Sequence, residues 1–212
     1  MQNYEAARRT YALLVGYEEL GLKPPEEKKK EGEEKPKRVK EQNPIVIDYK
    51  KMAEDLSFYQ RYAEARRLYK EVLLESTDED LKSWAQFNIG LCYAGLKEYE
   101  KAVEELDKVV RNYPESEWVD EALERAGSYL GTMGKLPEAI ERYKKIVQEY
   151  PKSNNASTAQ YLLGVAYLEA KNYEQAKAEF REVIKNYPHS VFTERARERL
   201  SELAKIKGKV KK

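Results

Sequence analysis

The sequence predicts an all-α protein, a solenoid of stacked helix hairpins. Three observations carry that reading. Tyr113-Pro114, Tyr150-Pro151 and Tyr187-Pro188 recur every 37 residues, each followed two positions after the proline by Ser116, Ser153 or Ser190. The same step carries Gly90 to Gly127 and Gly164, Ala102 to Ala139 and Ala176, Leu106 to Tyr143 and Phe180, and Val109 to Ile146 and Val183. Inside a unit the apolar spacing is helical: Tyr161, Leu162, Val165 and Leu168, then Tyr173, Ala176, Phe180, Val183 and Ile184. A period of this size marks a repeat architecture, in which no hairpin buries its apolar face alone and stacking supplies the core.

The elements follow in chain order. Tyr4, Ala7, Tyr11, Leu14 and Val15 match the second-helix pattern of Tyr99, Ala102, Leu106, Val109 and Val110, so residues 1–22 read as the second helix of a partial repeat. From Ala7 to Ala65 the register leaves 21 residues over, and these fit 23–43, a segment with eight basic residues, six acidic ones and no aromatic. Such a composition cannot bury enough apolar surface to fold, and it predicts a charged loop. Ala53, Tyr62, Ala65, Tyr69 and Val72 then place a divergent unit at about 45–79, with Thr77 in the proline column, ahead of clear units at about 80–116, 117–153 and 154–190.

The first helix of the last unit is expected to end in the polar turn Ala170-Lys171-Asn172, and the second at Asn186-Tyr187-Pro188, since proline disfavours helix in the residue before it. Ser153 and Ser190 can serve in the turns before the next helix, and Glu104 with Lys108, or Glu141 with Lys145, offers i, i+4 pairing. The glycine column lets the two helices of a unit approach at the alanine column, with Leu106, Tyr143 and Phe180 expected to fill space against the neighbouring unit. Residues 191–212 read as one closing helix, with Ala196, Leu200 and Ser201 in first-helix columns, and a Lys-rich tail.

Composition narrows the function classes. Of 212 residues 36% are charged, yet 39 basic against 38 acidic side chains leave a formal charge of +1, so no sign-coherent field draws nucleic acid or another polyanion. Cys92 and His189 are alone of their kinds, which excludes a disulfide framework and leaves too few soft ligands for zinc. No apolar run reaches the roughly 18 residues of a membrane span, and MQNYEAARRTY lacks a signal segment, so the chain as written reads as soluble and unprocessed. His189 stands in a turn column filled by Glu115 and Lys152, Cys92 reads as a small core filler, and the glycines form no phosphate-cradling loop. We therefore expect no catalytic residue, no metal and no cofactor.

Leu163-Gly164, Tyr167, Ala176, Phe180, Val183 and Pro188, like Ile89-Gly90, Tyr93, Ala102, Leu106, Val109 and Pro114, resemble the signature columns of the tetratricopeptide repeat (TPR). The 37-residue unit and the phrase NYEQAKAEFREVIKNYPHS, from Asn172 to Ser190, are similar to the bacterial envelope subfamily that includes the Tol-Pal periplasmic coordinator and the lipoprotein of the outer-membrane barrel-assembly machinery. The resemblance implies a right-handed superhelix whose first helices line the concave face. Without a signal segment the chain as written reads as cytoplasmic; the resemblance implies a periplasmic setting if it is a mature or trimmed envelope protein.

By register the concave positions are Lys50, Glu54 and Phe58, then Trp84, Phe87 and Leu91, then Glu121, Glu124 and Ser128, then Thr158, Tyr161, Val165 and Leu168. Where the family's chaperone-tail class carries the Lys and Asn that clamp a peptide carboxylate, Phe87, Leu91, Tyr161 and Val165 stand, so the resemblance implies no such clamp. The candidate partner-binding residues are Phe58, Trp84, Phe87, Leu91, Tyr161, Val165 and Leu168, a surface for a protein or peptide segment with apolar or aromatic side chains. The competing reading has Trp84 and Phe87 packed on the preceding unit and Tyr161 on its own. The expected function is a non-catalytic interaction scaffold, the alternative a fixed structural accessory subunit of a larger complex. The mid-repeat start leaves the N-terminal end as a surface for self-association.

Overall fold

In the computed structural model, secondary structure is described for residues 44–210 and side chains for 46–205. The helix expected over 1–22 and the charged segment 23–43 lie outside the described residues, as does most of the Lys-rich tail. Nine helices are described: α1 Pro44–Phe58, α2 Tyr62–Glu75, α3 Glu79–Gly95, α4 Tyr99–Asn112, α5 Val119–Thr132, α6 Leu136–Glu149, α7 Ala156–Glu169, α8 Tyr173–Asn186 and α9 Phe192–Val210. Each helix packs on the one before and the one after it, α7 also touches α5 and α9, and no strand occurs among the described residues. This is an all-α solenoid of hairpins with one closing helix.

The turn inside each hairpin is a single repeated device. Gln60, Lys97, Gly134 and Lys171 all take left-handed backbone, with φ of 59°, 62°, 74° and 58°. The amide one residue later reaches back across the helix end: Arg61 N to Leu56 O, Glu98 N to Tyr93 O, Lys135 N to Leu130 O and Asn172 N to Tyr167 O, at 2.8–2.9 Å. These bonds satisfy carbonyls that a helix terminus otherwise leaves open.

Between hairpins the YP-x-S phrase acts through its hydroxyl. Ser116 Oγ accepts from Trp118 N at 3.2 Å and lies 2.8 Å from Ser83 Oγ; Ser190 Oγ accepts from Phe192 N at 3.2 Å and lies 3.0 Å from Ser157 Oγ. In the middle unit the partner column holds Asp120, which accepts from Asn155 Nδ2 at 3.0 Å, and the buried Ser153 Oγ has no hydrogen-bond partner among the described residues.

The glycines serve their own hairpins. A Cβ on Gly90 would lie 2.8 Å from Leu106 Cγ, one on Gly127 would lie 2.7 Å from Tyr143, and one on Gly164 would lie 2.6 Å from Phe180. The large side chain expected to fill space against the neighbouring unit therefore seats first on the glycine of its own unit, because only there does the missing Cβ leave room. The ion pairs also differ from the spacing expected: Lys108 bonds Glu105 at 2.9 Å rather than Glu104, and Lys145 meets Glu149 at 3.9 Å rather than Glu141.

One departure from an apolar core repeats. Gln86 and Gln160 are buried on α3 and α7, and each donates its amide to a carboxylate of its partner helix, Gln86 Nε2 to Glu105 at 2.6 Å and Gln160 Nε2 to Glu179. A buried amide left unpaired would cost about 1–3 kcal/mol, so the carboxylate is what lets Gln occupy this column. In the middle unit the pair is Leu123 and Arg142, and Arg142 turns instead to Asp107 on α4, in a two-pronged contact at 3.1 and 2.9 Å.

Candidate partner-binding face

The first helices α1, α3, α5 and α7 carry every residue expected on the concave face, and the structure separates these residues into two groups. Phe87 and Tyr161 are 3% and 9% exposed. Phe87 packs against Trp118 with ring centroids 5.2 Å apart and planes tilted by 31°, and Tyr161 lies between Phe180 at 5.6 Å and Phe192 at 5.1 Å. Both are buried core side chains rather than exposed residues of the expected face. The reason lies at the entry to the next unit, where Trp118, just before α5, and Phe192, the first residue of α9, each place an aromatic ring against the preceding first helix. Phe87 thus packs forward onto the following unit, the reverse of the direction the competing reading gave it.

The remaining candidates keep surface. Phe58 is 81% exposed and meets Tyr59 edge-on at 5.3 Å, at the open end of α1. Trp84 is half-buried, edge-on to Tyr69 at 5.2 Å, with the Lys50 ammonium 4.7 Å above its ring. Leu91 is half-buried at the edge of the central core, and Val165 and Leu168 are half-buried against the C-terminal one.

Leu91 belongs to a cleft of about 410 Å³ between α1, α3 and α5. Its floor is Asn88, Cys92, Ala94 and Gly95 of α3, and its walls are Ser57 at the end of α1, Tyr62, Tyr99 and Tyr129. Tyr99 and Tyr129 stack with centroids 5.6 Å apart. Sequence reasoning missed these walls. Tyr129 was detectable, since it stands in the column of Cys92 and Ala166 and is the one large side chain there; Tyr62 and Tyr99 open second helices and gave no concave signal. Cys92 does not bring chemistry to the cleft: burial pushes its thiol up to about 11, well above physiological pH, so it stays protonated.

The middle of the face is acidic. Glu124 occupies the column of Phe87 and Tyr161, and desolvation raises its carboxyl above the usual carboxylate range, with Arg125 opposing the shift. One guanidinium serves two carboxylates: Arg125 lies 3.3 Å from Glu121 and 3.7 Å from Glu124. A second cleft of about 350 Å³ lies between α7 and α9, lined by Tyr161, Arg195, Glu198, Arg199 and Glu202, with Arg199 bonded to Glu202 at 2.9 Å. No group of three His, Cys, Asp or Glu side chains suited to a metal ion occurs among the described residues.

The family model for YfiO, described as an outer membrane lipoprotein, matches residues 83–207. The chain belongs to the YfiO family. The match starts at Ser83, early in α3, so it takes in the three clear hairpins and the closing helix but not the α1–α2 unit that walls the larger cleft. No curated protein matches this YfiO-family chain.

Among solved structures it is similar to a TPR protein from Parabacteroides merdae, with TM-score 0.66 and 18% identity over 79% of this chain and 62% of that one. MamA from Desulfovibrio magneticus RS-1 aligns over 79% of this chain and 97% of its own, with TM-score 0.58 and 19% identity. YrrB, described as a TPR protein with an unusual peptide-binding site, aligns over 72% and 74%, with TM-score 0.56 and 20% identity. At these identities the likeness establishes the TPR fold.

Proposed function

We propose that this chain is a non-catalytic scaffold that takes an apolar or aromatic segment of a partner protein on its concave face, centred on the cleft around Leu91 and Tyr129. The observation that carries the reading is that cleft: half-buried apolar and tyrosine side chains from three successive units converge on one concavity that no described side chain fills. Tyrosine suits such a surface, offering broad contact at low entropy cost and a hydroxyl for orientation. The peptide-binding site for which YrrB is described supports a TPR array in this role. The family's description as an outer membrane lipoprotein supports an envelope setting, with the array on the periplasmic side and its partner an envelope protein.

Crosslinking capture from the native cell tests this. The intact chain should retain a partner that Leu91→Asp and Tyr129→Ser release, with helix content unchanged by circular dichroism. Retention that survives both substitutions and fails instead with Lys145→Glu, on the second helix of its unit, would reject the concave site. A retained protein that copurifies at fixed stoichiometry and does not exchange with added free partner would favour the accessory-subunit reading.

A further inference from the structure

The cleft between α1, α3 and α5 has walls that select the form of what enters it. Its rings are held by the protein itself. A Cβ on Gly95 would lie 2.6 Å from the Tyr62 ring, so that ring rests directly on the end of α3, while Tyr99 and Tyr129 hold each other in a stack. Walls already fixed in place lose little freedom on binding. The hydroxyls of Tyr62, Tyr99 and Tyr129 have no hydrogen-bond partner among the described residues. Burial raises the phenol of Tyr129 above its ordinary value, which keeps it protonated and a donor. The floor's carbonyls, by contrast, are engaged: Cys92 O accepts from Leu96 N at 3.1 Å, Ala94 O from Lys97 N at 2.8 Å and Ser57 O from Gln60 N at 3.0 Å. Donors are thus open where acceptors are taken.

We infer that the partner segment is proline-rich and enters this cleft as an extended polyproline II strand, its carbonyls accepting from the tyrosine hydroxyls. The inference rests on the concave cleft being the binding surface and names the chemistry of what binds there. Size is the first support. One turn of a helix with its side chains, 10–12 Å across and 5.4 Å tall, fills about 420–610 Å³, so a cleft of about 410 Å³ admits less than one turn. Hydrogen bonding is the second. A helix spends its carbonyls internally and would leave the tyrosine donors unmatched, whereas a polyproline II chain has no internal hydrogen bonds and keeps its carbonyls open. An ordinary extended chain would bring N–H groups to a floor whose acceptors are taken, at a loss of about five- to 150-fold in affinity for each one left unpaired. Proline has no N–H to leave unpaired. The third is the aromatic lining itself, against which pyrrolidine rings pack in a conformation already formed before binding.

The test titrates the purified full chain with three synthetic peptides of equal length: an oligoproline, the same peptide with glycine at alternate positions, and an amphipathic helix of Leu, Ala and Lys. Amide chemical shifts are followed by NMR. Oligoproline should bind most tightly and shift Gly95, Leu96, Tyr99 and Tyr129, and the glycine-substituted peptide should bind at least about fivefold more weakly. Tyr99→Phe and Tyr129→Phe keep the rings and remove the donors, so each should weaken oligoproline by about two- to twelvefold. Tyr173→Phe, in the column of Tyr99 but outside the cleft, should change nothing. Tightest binding by the helical peptide, equal binding by the glycine-substituted one, full affinity in both Phe variants, or no shift with oligoproline would each overturn the inference. If it fails while Leu91→Asp still releases a captured partner, the concave site stands and only the form of the segment is lost; capture that survives Leu91→Asp and Tyr129→Ser would remove the site itself.

Discussion

Lys97 and its counterparts Gln60 and Lys171 hold a left-handed backbone that an L side chain adopts at a cost of about 1–2 kcal/mol, whereas Gly134 adopts it freely. Three non-glycine residues in this role mean that the hairpin turn is imposed by packing and by the amide bonds that close it. Lys97→Gly should therefore raise stability by about 0.5–1 kcal/mol, and Gly134→Ala should lower it by about 1 kcal/mol or more; both are read from thermal melts. Glu124 gives a pH-dependent counterpart. Burial raises its carboxyl pKa in the folded chain, so the folded state binds more protons than the unfolded one through the carboxylate range. Ionising Glu124 thus destabilises the fold at neutral pH, and that penalty is relieved as pH falls through the raised folded-state value and is gone below the ordinary carboxylate value. Glu124→Gln should melt higher than the parent at pH 7, and the gap should close on acidification. These features differ in how legible they were. The turn at Lys171 was marked by its polar neighbours, but the left-handed angle was not, because nothing in Gln60, Lys97 or Lys171 announces it. Phe87 and Tyr161 were misplaced on the surface because their partners Trp118 and Phe192 stand where the next unit's helix begins, 31 residues further on in each case, in a column whose other members, Leu81 and Asn155, are not aromatic.

At the scale of an element, what the period revealed was the alternation of first and second helices, and what it hid was how the units are tied together. A 37-residue repeat reports residues that are alike, whereas Asp107 and Arg142 differ from their counterparts in the neighbouring units and so fell outside the columns. Their contact joins α4 to α6 across the unit boundary, with side chains 26% and 28% exposed. A two-pronged guanidinium–carboxylate pair in a partly buried position exceeds the usual surface ion pair, for which 0.2–1 kcal/mol is typical. A double-mutant cycle of Asp107→Ala and Arg142→Ala should give a coupling of about 1 kcal/mol, whereas the exposed Arg197–Glu194 pair on α9 should give close to none. A coupling near zero for Asp107–Arg142 would mean that this contact does not help to tie the two units together. The Gln86–Glu105 and Gln160–Glu179 pairs show the same logic inside a unit: a polar residue in an apolar column reads from sequence as a departure, and only the geometry shows the carboxylate that accommodates it.

For the whole molecule, the packing of each helix on its two neighbours makes stability nearly one-dimensional, the sum of hairpin terms and the contacts between adjacent hairpins. The central core runs from Phe87 on α3 to Ala166 on α7, with partners on both sides, while among the described residues α1 carries an exposed charged face and the closing helix α9 has neighbours on one side only. Opening a central helix breaks two interfaces; opening an end breaks one. Native-state hydrogen exchange should therefore be slowest at the amides of Leu106, Val109, Tyr143 and Ile146, intermediate in α3 and α8, and fastest in α1 and α9, in steps rather than as one cooperative unit. The α1–α2 hairpin, which walls the larger cleft from its N-terminal side, falls at the weak end of that gradient. A partner seated between α1 and α5 should slow exchange in α1 and α2 more than in α6, because it adds an interface to α1, which among the described residues has no helix before it, and so steadies the hairpin that α1 forms with α2. Protection that rises uniformly along the array on binding, or not at all in α1, would mean that the partner engages the solenoid elsewhere.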